Sequence, residues 1–506
     1  MDKKNIATNV VVNFCLQIIN LAIGLVIPRM ILGAFGSEVN GLVSSINQFM
    51  MYLTLVESGL AQVAIVSLYK PLVDSDTNEV NHQLSIINYF YRKTGYIFLV
   101  LLLLMALVYP IVIRNRFNYL YISFLIIVLG LQYVVDFLFI GKFKVLLVAD
   151  QKMFVMSIVQ IITSVVMFVC EVLLLLWGAS IIAVKVVIPI IHLMQFGLIK
   201  IIANRKYKSF DFSGITKDKK LAGRGSAVLH QITGLVMSST DITFLTLLGI
   251  DLKEISVYTV YNYITVEINS FLGTFVNSII PSFGKALVLQ KGEIKKQFSL
   301  FTGTYLYIVN CLFGPLLLLF LGFVKLYTSN VSDVNYVRPS LSILFSLCFI
   351  LNSIKTPYIM LIQSSGLYKE TRVATLVEAV VNIVASIPLI IIWGVNGALA
   401  GTICAHVYRY IELIRFGKKY FSIPIKDYVF SVLAFLVVDS TFAMILYNCW
   451  VIDISFNSWL KWIFVALVVT IAFFIVNSVV FYVKDKESFM YFINLFRKRI
   501  KNAFAK

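Results

Sequence analysis

The sequence predicts an all-α integral membrane protein with about fourteen transmembrane helices, arranged as two parallel six-helix lobes followed by two further helices. Three observations lead to this fold class: the composition, the spacing of long apolar segments, and an internal repeat. Hydrophobic residues make up 59% of the 506 residues and charged residues 13%, with a mean hydropathy of +0.89. Because about a quarter of the residues in soluble domains are charged, this composition indicates a multi-span membrane protein.

Long apolar segments recur along the whole chain, and each has the length of a membrane-spanning helix. A span needs about 20 apolar residues, and a helix satisfies its own backbone hydrogen bonds where no water is present. The predicted spans are 10–31, 40–68, 95–113, 119–140, 154–176, 180–202, 226–249, 255–283, 301–323, 340–362, 372–392, 397–416, 428–447 and 460–483. The longest predicted cytoplasmic loop is 69–94, and the external connections are too short to hold a catalytic domain.

An offset of 216 residues aligns the two halves of the chain. It places Leu32 and Gly33 on Leu248 and Gly249, and the Trp-Gly pair of 177–178 on that of 393–394. We interpret this as a repeat of six spans, the alternative being two apolar arrays in accidental phase. Repeats with an even number of spans are parallel, and two similar halves that rock about a central site are the usual plan of a transporter. The predicted parts are an N-terminal lobe 1–203, a basic cytoplasmic linker 204–224, a C-terminal lobe 225–420, two last spans in 421–483 and a tail 484–506.

The net charge of +18 follows the membrane topology. With the N-terminus in the cytoplasm, most of the 43 Lys and Arg residues fall in cytoplasmic loops or tails. That asymmetry is the positive-inside rule, and it predicts that both termini are cytoplasmic. The tail alternates apolar and basic residues, which is typical of an amphipathic helix on an anionic inner leaflet. No nucleic-acid partner is needed to explain the basic charge.

Motifs for soluble catalysis are missing from the sequence. It has no Gly-x-x-x-x-Gly-Lys-Ser/Thr phosphate loop, no Gly-x-Ser-x-Gly, no His-Glu-x-x-His and no cluster of metal ligands, and its six cysteines are widely spaced. We therefore predict a protein that is not an enzyme, with no resident metal or cofactor. The residues left to carry function are ionisable side chains within predicted spans, which are costly when they face lipid.

These ionisable residues fall into two groups by their position in the spans. The residues Glu57, His192, Asp241, Glu267, Arg409 and Asp439 lie near the middle of their spans, whereas Asp136, Glu171, Lys185 and Glu378 lie near the ends, where a side chain can extend to the membrane surface. His406, Arg409 and Glu412 share one helix face. This face suggests either an internal ion pair between Arg409 and Glu412 or a clamp for phosphate, which guanidinium binds through two hydrogen bonds.

Several short stretches resemble a known family. They are Ile27-Pro28-Arg29 with 32–36 and 40–42, Glu57-Ser58-Gly59-Leu60, 147–152, Ser239-Thr240-Asp241 and Trp393-Gly394-Val395-Asn396-Gly397-Ala398. Together with fourteen spans in two parallel lobes, they resemble the polysaccharide-transport (Wzx-type) flippases of the multidrug/oligosaccharidyl-lipid/polysaccharide (MOP) exporter superfamily.

The resemblance implies a flippase of the bacterial plasma membrane that moves an undecaprenyl-diphosphate-linked oligosaccharide from the inner to the outer leaflet, for surface polysaccharides such as capsule or O-antigen. Polymerases and glycosyltransferases of the same pathway are the implied partners. Four cations, Arg29, Lys185, Lys355 and Arg409, would bind the diphosphate and sugar. Four acids, Glu57, Asp241, Glu267 and Glu412, are the candidates for coupling to H⁺ or Na⁺, and the membrane potential is the alternative source of energy.

Two other functions from the same superfamily stay open. Asp241 and Glu267 resemble the cation site of multidrug exporters, which would make the protein a cation-coupled drug exporter. A lipid II flippase is the other alternative. An enzyme that acts on lipid-linked sugars is disfavoured because the external loops are short.

Overall fold

The computed structural model describes residues 3–113, 117–211, 240–289, 294–449, 456, 458–490 and 493. The helices are α1 (Lys3–Leu53), α2 (Leu60–Val73), α3 (Thr77–Val112), α4 (Tyr119–Val135), α5 (Gly141–Ala149), α6 (Met153–Leu176), α7 (Ile181–Lys206), α8 (240–247), α9 (Leu252–Leu289), α10 (Ile294–Tyr327), α11 (Pro339–Ser365), α12 (Tyr368–Trp393), α13 (Val395–Phe421), α14 (Ile425–Cys449) and α15 (Trp459–Lys484). The described residues form no strand, and ten helical stretches among them have the length and composition of membrane spans. The predicted all-helical, multi-span fold class is confirmed.

The first two predicted spans are joined and broken in places that the sequence pattern does not reveal. Helix α1 runs through both, with a kink at Gly36, whose φ of 79° is readily adopted only by glycine. The predicted span 40–68 is interrupted by a 3₁₀ turn, Thr54–Glu57, and by Gly59 at φ 72°. The prediction of one continuous helix over 40–68 is therefore wrong, and the break falls at Glu57.

The predicted long loop 69–94 is also wrong. Helix α2 continues to Val73, and α3 begins at Thr77 after a turn. The Asp76 side chain caps α3 by accepting a hydrogen bond from the backbone N–H of Glu79 at 3.1 Å. The polar residues that suggested a loop form the first turns of a 36-residue helix, because a capped helix extends beyond the apolar stretch used to predict it.

Close contacts between helices depend on glycine in the first half of the chain. A Cβ at Gly41 would lie 1.9 Å from the carbonyl oxygen of Leu252. Helix α1 and the start of α9 therefore approach so closely that only glycine fits at position 41. Beside this contact Asn40 donates a 2.7 Å hydrogen bond to Ser256, and Ser45 and Thr246 share a 2.6 Å bond. Small and hydroxyl residues are the usual contacts between helices in membranes.

Glycine also sets the packing of α12 against α13. A Cβ at Gly397 would lie 2.0 Å from the Leu389 carbonyl oxygen, and one at Gly401 would lie 2.1 Å from the Ser386 hydroxyl. These two glycines are four residues apart, on one face of α13, in the small-xxx-small pattern of membrane helix pairs. The close approach brings polar side chains of the two helices within reach of one another.

The chain divides into two compact units, Met1–Ser256 and Val257–Lys506. The predicted linker 204–224 is described only as far as residue 211, and most of the predicted tail 484–506 lies outside the described residues. The first part of the predicted span 226–249 also lies outside them. The lobe boundaries stay a prediction.

Candidate functional site

Four buried ionisable side chains meet in the second unit, and we call them the cationic cluster: Lys355, Glu378, His406 and Arg409. Lys355 lies on α11 immediately before Thr356-Pro357, Glu378 lies on α12, and His406 and Arg409 lie one turn apart on α13. The close packing of α12 on α13 brings Glu378 onto the face that carries His406 and Arg409. Three helices therefore contribute to one ionic site.

Glu378 is the centre of the cationic cluster. Its Oε1 accepts a hydrogen bond from Lys355 Nζ at 3.0 Å, and its Oε2 lies 3.4 Å from Arg409 Nε. Lys355 Nζ is also 2.9 Å from His406 Nδ1. An ammonium group has only donors, so His406 Nδ1 must be the acceptor, and the imidazole is neutral with its proton on Nε2.

Burial makes the charge balance of this cluster significant. Lys355, Glu378, His406 and Arg409 are 4%, 5%, 7% and 6% exposed. Two cations share one carboxylate, so with a neutral imidazole the cluster carries a net charge of +1. A buried charge without a counter-ion is costly, and the guanidinium approaches Glu378 through Nε at 3.4 Å. The cluster is therefore suited to binding an anion.

Glu412 makes no direct ion pair with this cluster, although its carboxylate is near enough to Arg409 to interact with it electrostatically. Glu412 forms a 2.6 Å ion pair with Arg415, three residues further along α13, and the Arg415 side chain is 70% exposed. The intrahelical pair of Arg409 with Glu412 is not formed, because Arg409 turns toward Glu378 on α12 instead. Exposed pairs of this kind contribute little to stability.

Glu378 is the residue that the sequence analysis missed. Its position near the end of a predicted span suggested that it reaches the membrane surface, whereas it lies buried between α11, α12 and α13. The available signal was its isolation: α12 carries no basic residue three or four positions from Glu378, so a partner on another helix was to be expected.

Lys185 is likewise paired rather than extended to the membrane surface. Its Nζ lies 3.0 Å from Glu171 Oε1, which joins α7 to α6 in the first unit, and both residues are buried. One cation and one carboxylate balance each other here, in contrast to the cationic cluster. Lys185 lies in the first unit, and Lys355 and Arg409 lie in the second.

Glu57 occupies the break between α1 and α2. Its Oε1 accepts a 2.8 Å hydrogen bond from the Tyr91 hydroxyl of α3, and the carboxylate is partly buried. Non-helical backbone at membrane depth is tolerated only where protein or a cavity surrounds it. A carboxyl group held at such a break is a suitable place for a cation or proton to bind.

The other three predicted site residues are partly buried. Arg29 follows Pro28 within α1, Asp241 lies in α8, and Glu267 lies in α9. Arg29 and Asp241 belong to the first unit and Glu267 to the second. The roles predicted for all three stay predictions.

A cavity of about 580 Å³ lies between α10, α14 and α15. Three lysines, Lys295, Lys296 and Lys484, and one acid, Asp485, are among its lining residues. Its other lining residues are mostly apolar and include the aromatic side chains Phe298, Tyr428, Phe430, Phe435 and Phe481. A cavity with cationic and aromatic surfaces suits an amphiphile that carries an anionic group.

Solved structures of transporters are similar to this fold. The lipid II flippase MurJ in an inward closed conformation is 16% identical, with a TM-score of 0.67 over 94% of this chain and 98% of that one. An inward-facing multidrug resistance MATE family transporter of the MOP superfamily is 12% identical, with a TM-score of 0.66 over 80% and 94%. A MOP superfamily transporter from Pyrococcus furiosus is 12% identical, with a TM-score of 0.57 over 83% and 94%.

No protein-family model and no curated protein sequence matches the chain. The structural likeness, at such low identity, defines the fold alone: the described residues share the all-helical fold of these solved structures, and ten helical stretches among them could span a membrane. The neighbours named above are transporters and flippases rather than enzymes.

Proposed function

We propose that this protein is a flippase that moves polyprenyl-diphosphate-linked oligosaccharide from the inner to the outer leaflet of a bacterial plasma membrane, for surface polysaccharide synthesis. The observation that carries the proposal is the cationic cluster, in which Lys355 and Arg409 share the single carboxylate of Glu378. An excess positive charge buried among transport helices attracts an anion, and a guanidinium binds phosphate oxygens well.

A diphosphate group on the substrate would explain the excess positive charge of the cationic cluster. A lipid substrate would explain why that charge is buried among membrane helices. Carrying sugar hydroxyls and phosphates through hydrocarbon costs several kcal/mol for each unpaired polar group, so a protein is needed for the lipid to cross. The cavity lined by lysines and aromatic rings supports an amphiphilic substrate. With the cytoplasm negative, outward movement of an anion is favoured by about 2.3 kcal/mol per charge for each 100 mV.

Glu57 is the strongest of the four coupling candidates, because it occupies a helix break and is held by Tyr91. Binding of H⁺ or Na⁺ there would neutralise a carboxylate and alter the geometry of the break between α1 and α2. Asp241 and Glu267 stay candidates for the same role. Glu412 is the weakest, because it forms an exposed pair with Arg415.

The test is a flipping assay in proteoliposomes with a labelled undecaprenyl-diphosphate oligosaccharide whose terminal sugar is oxidised by an enzyme confined to one side. We expect the wild-type protein to carry the sugar to the side that holds the enzyme, where it is oxidised. Lys355→Gln or Arg409→Gln should slow this oxidation by about tenfold or more, as the loss of a charged hydrogen bond predicts. Each variant leaves one cation beside Glu378, so the fold is kept. Lys418→Gln, an exposed charge on α13, is the matched control and keeps the wild-type rate.

Equal rates in wild-type, Lys355→Gln and Arg409→Gln proteoliposomes would contradict binding of the diphosphate at the cationic cluster. Absence of flipping by the wild-type protein with every polyprenyl-diphosphate lipid would contradict the function itself.

A lipid II flippase is the second candidate, favoured by the structural likeness to MurJ. Lipid II also carries a polyprenyl diphosphate, so the same cluster would serve, and the two functions differ only in the sugar. Parallel assays with lipid II and with other lipid-linked oligosaccharides separate them. A cation-coupled drug exporter is less well supported, because a cationic drug would be repelled by the excess positive charge of Lys355 and Arg409.

A further inference from the structure

A buried acid and a buried amide face each other in the last two helices. Asp439 lies on α14 and Asn477 on α15, and both are 0% exposed. The Asn477 Nδ2 donates a 2.9 Å hydrogen bond to Asp439 Oδ1. Asp439 and Asn477 are not among the residues assigned above to substrate or coupling, although the cavity lined by Phe435 and Phe481 lies along the same two helices.

Two oxygens of this pair have no hydrogen-bond donor. Asp439 Oδ2 and Asn477 Oδ1 are both buried, and neither has a hydrogen-bond partner among the described residues. Buried polar atoms in native proteins almost always have a partner, so two such acceptors on adjacent side chains require an explanation. One shared hydrogen-bond donor would satisfy both acceptors.

The surroundings of Asp439 supply no counter-ion. Among the described residues, no Lys, Arg or His nitrogen lies within 4 Å of its carboxylate. Helix α10 presents the Cys311 thiol, and its Tyr307 hydroxyl is already bonded to Ser478 of α15 at 2.9 Å. One turn away, the packing of α14 on α15 is apolar, through Ala443, Val469 and Phe473. An ionised carboxylate would therefore be a bare charge in a membrane protein, which is costly.

A single bound proton would account for the two oxygens without a donor, for the lack of a counter-ion among the described residues and for the apolar packing nearby. If Asp439 Oδ2 carries the proton, it becomes a donor, and the Asn477 carbonyl Oδ1 becomes its acceptor. The existing bond from Asn477 Nδ2 to Asp439 Oδ1 then closes an acid–amide pair with two parallel hydrogen bonds and no net charge. We propose that Asp439 and Asn477 form a proton-binding site between α14 and α15, occupied at neutral pH in this conformation.

Sodium would have to satisfy the same two oxygens, since it shares with the proton a preference for oxygen. Hard metal cations take several oxygen ligands. The hydroxyls of Tyr307 on α10 and Ser478 on α15 are bonded to each other. A proton needs only the two orphan atoms, so the proton is the occupant favoured here. This site goes beyond the proposed function, because it requires neither a particular substrate nor transport.

The test is infrared difference spectroscopy of the whole protein in lipid, with pH and Na⁺ varied separately. We expect a protonated-carboxyl stretching band in sodium-free buffer at neutral pH that Asp439→Asn removes. This variant keeps a side chain able to bond to Asn477, so it should fold. Asn477→Val, which removes both amide atoms, should leave an acid band shifted to the frequency of a carboxyl without hydrogen bonds, or lose it as the carboxyl ionises. Asp74→Asn, at an exposed acid in the turn between α2 and α3, should leave the band unchanged.

Two results would overturn the proposal. If the band in neutral, sodium-free buffer is the same in wild-type and Asp439→Asn protein, Asp439 is ionised there and the site holds no proton. If the band disappears when Na⁺ is added at constant pH, and returns when it is removed, the occupant in a sodium-containing medium is the metal ion. Either result is independent of the flipping assay, so it leaves the proposed function untouched.

Discussion

Asn40 and Ser256 share a 2.7 Å hydrogen bond between their side chains, and both are buried. They are 216 residues apart, which is the offset that aligns the two halves of the sequence. Residues at equivalent positions of a repeat can contact each other only where the two copies meet. In a repeat of this period the bond would join equivalent positions of the two copies, and the repeat itself stays a prediction.

A double-mutant cycle on this pair measures the bond. We expect Asn40→Ala and Ser256→Ala each to lower stability, with a coupling energy of about 0.6 kcal/mol, because side-chain bonds between membrane helices average about that value. The measurement is reversible unfolding in mixed micelles. Additive effects of the two substitutions would show that the bond contributes nothing.

Gly41→Ala should destabilise the protein by about 1–3 kcal/mol, the usual cost of overpacking. The new Cβ would lie 1.9 Å from the Leu252 carbonyl oxygen, which is backbone and cannot rotate away. Gly33→Ala, on the same helix, has no atom within 4 Å of the new Cβ and is the matched control, with unchanged or slightly higher stability. The two melting temperatures are compared in the same detergent. Equal values would mean that α1 and α9 do not approach this closely.

Glu378→Gln should destabilise the protein by about 3–5 kcal/mol, because it leaves Lys355 and Arg409 buried without a carboxylate. Glu370→Gln makes the same chemical change at an exposed position of α12 and should alter the unfolding free energy by less than about 0.5 kcal/mol. Added diphosphate-linked lipid should restore part of the stability of Glu378→Gln, since the anion replaces the lost charge. A variant as stable as wild type would mean that the two cations do not depend on Glu378.

Tyr91→Phe removes the hydroxyl that donates to Glu57 and keeps the ring that packs against Gly141. We expect a loss of about 0.5–1.5 kcal/mol in unfolding free energy, the range for one hydrogen bond. If Glu57 binds the coupling proton, the pH profile of flipping should move toward higher pH, because the bond that favours the ionised carboxylate is gone. An unchanged profile would assign the coupling role to another acid. Tyr89→Phe, on the same helix, is the control.

Stability at Asp439 should fall as pH rises above the ordinary pKa of an aspartate, about 4, and Asp439→Asn should lack this fall. The folded state holds a proton at Asp439 that the unfolded state releases, so the unfolded state binds fewer protons and rising pH favours it until the folded state loses the proton as well. Melting temperatures from mildly acidic pH to above neutral measure the difference between the two proteins. Parallel curves would contradict a bound proton.

Helix class, approximate spans and the need for buried charge partners follow from the sequence, because each depends on local composition. Apolar segments about 20 residues long predict helices in any membrane protein, and Lys355 and Arg409 were recognisable as intramembrane cations. The break at Glu57 and the extension of α3 from Thr77 were not predicted. Both depend on caps and on packing around a few residues, which apolar periodicity does not record.

The sequence by itself determined that this is a multi-span helical protein and which ionisable side chains lie within its predicted spans. Only the tertiary structure decided which of them are partners. It joined Lys355 of α11 to Glu378 of α12, turned Arg409 away from Glu412, and set Asp439 beside Asn477. The physical reason is that pairing requires atoms within about 3–4 Å, and contacts between helices are set by steric details such as the glycines of α13.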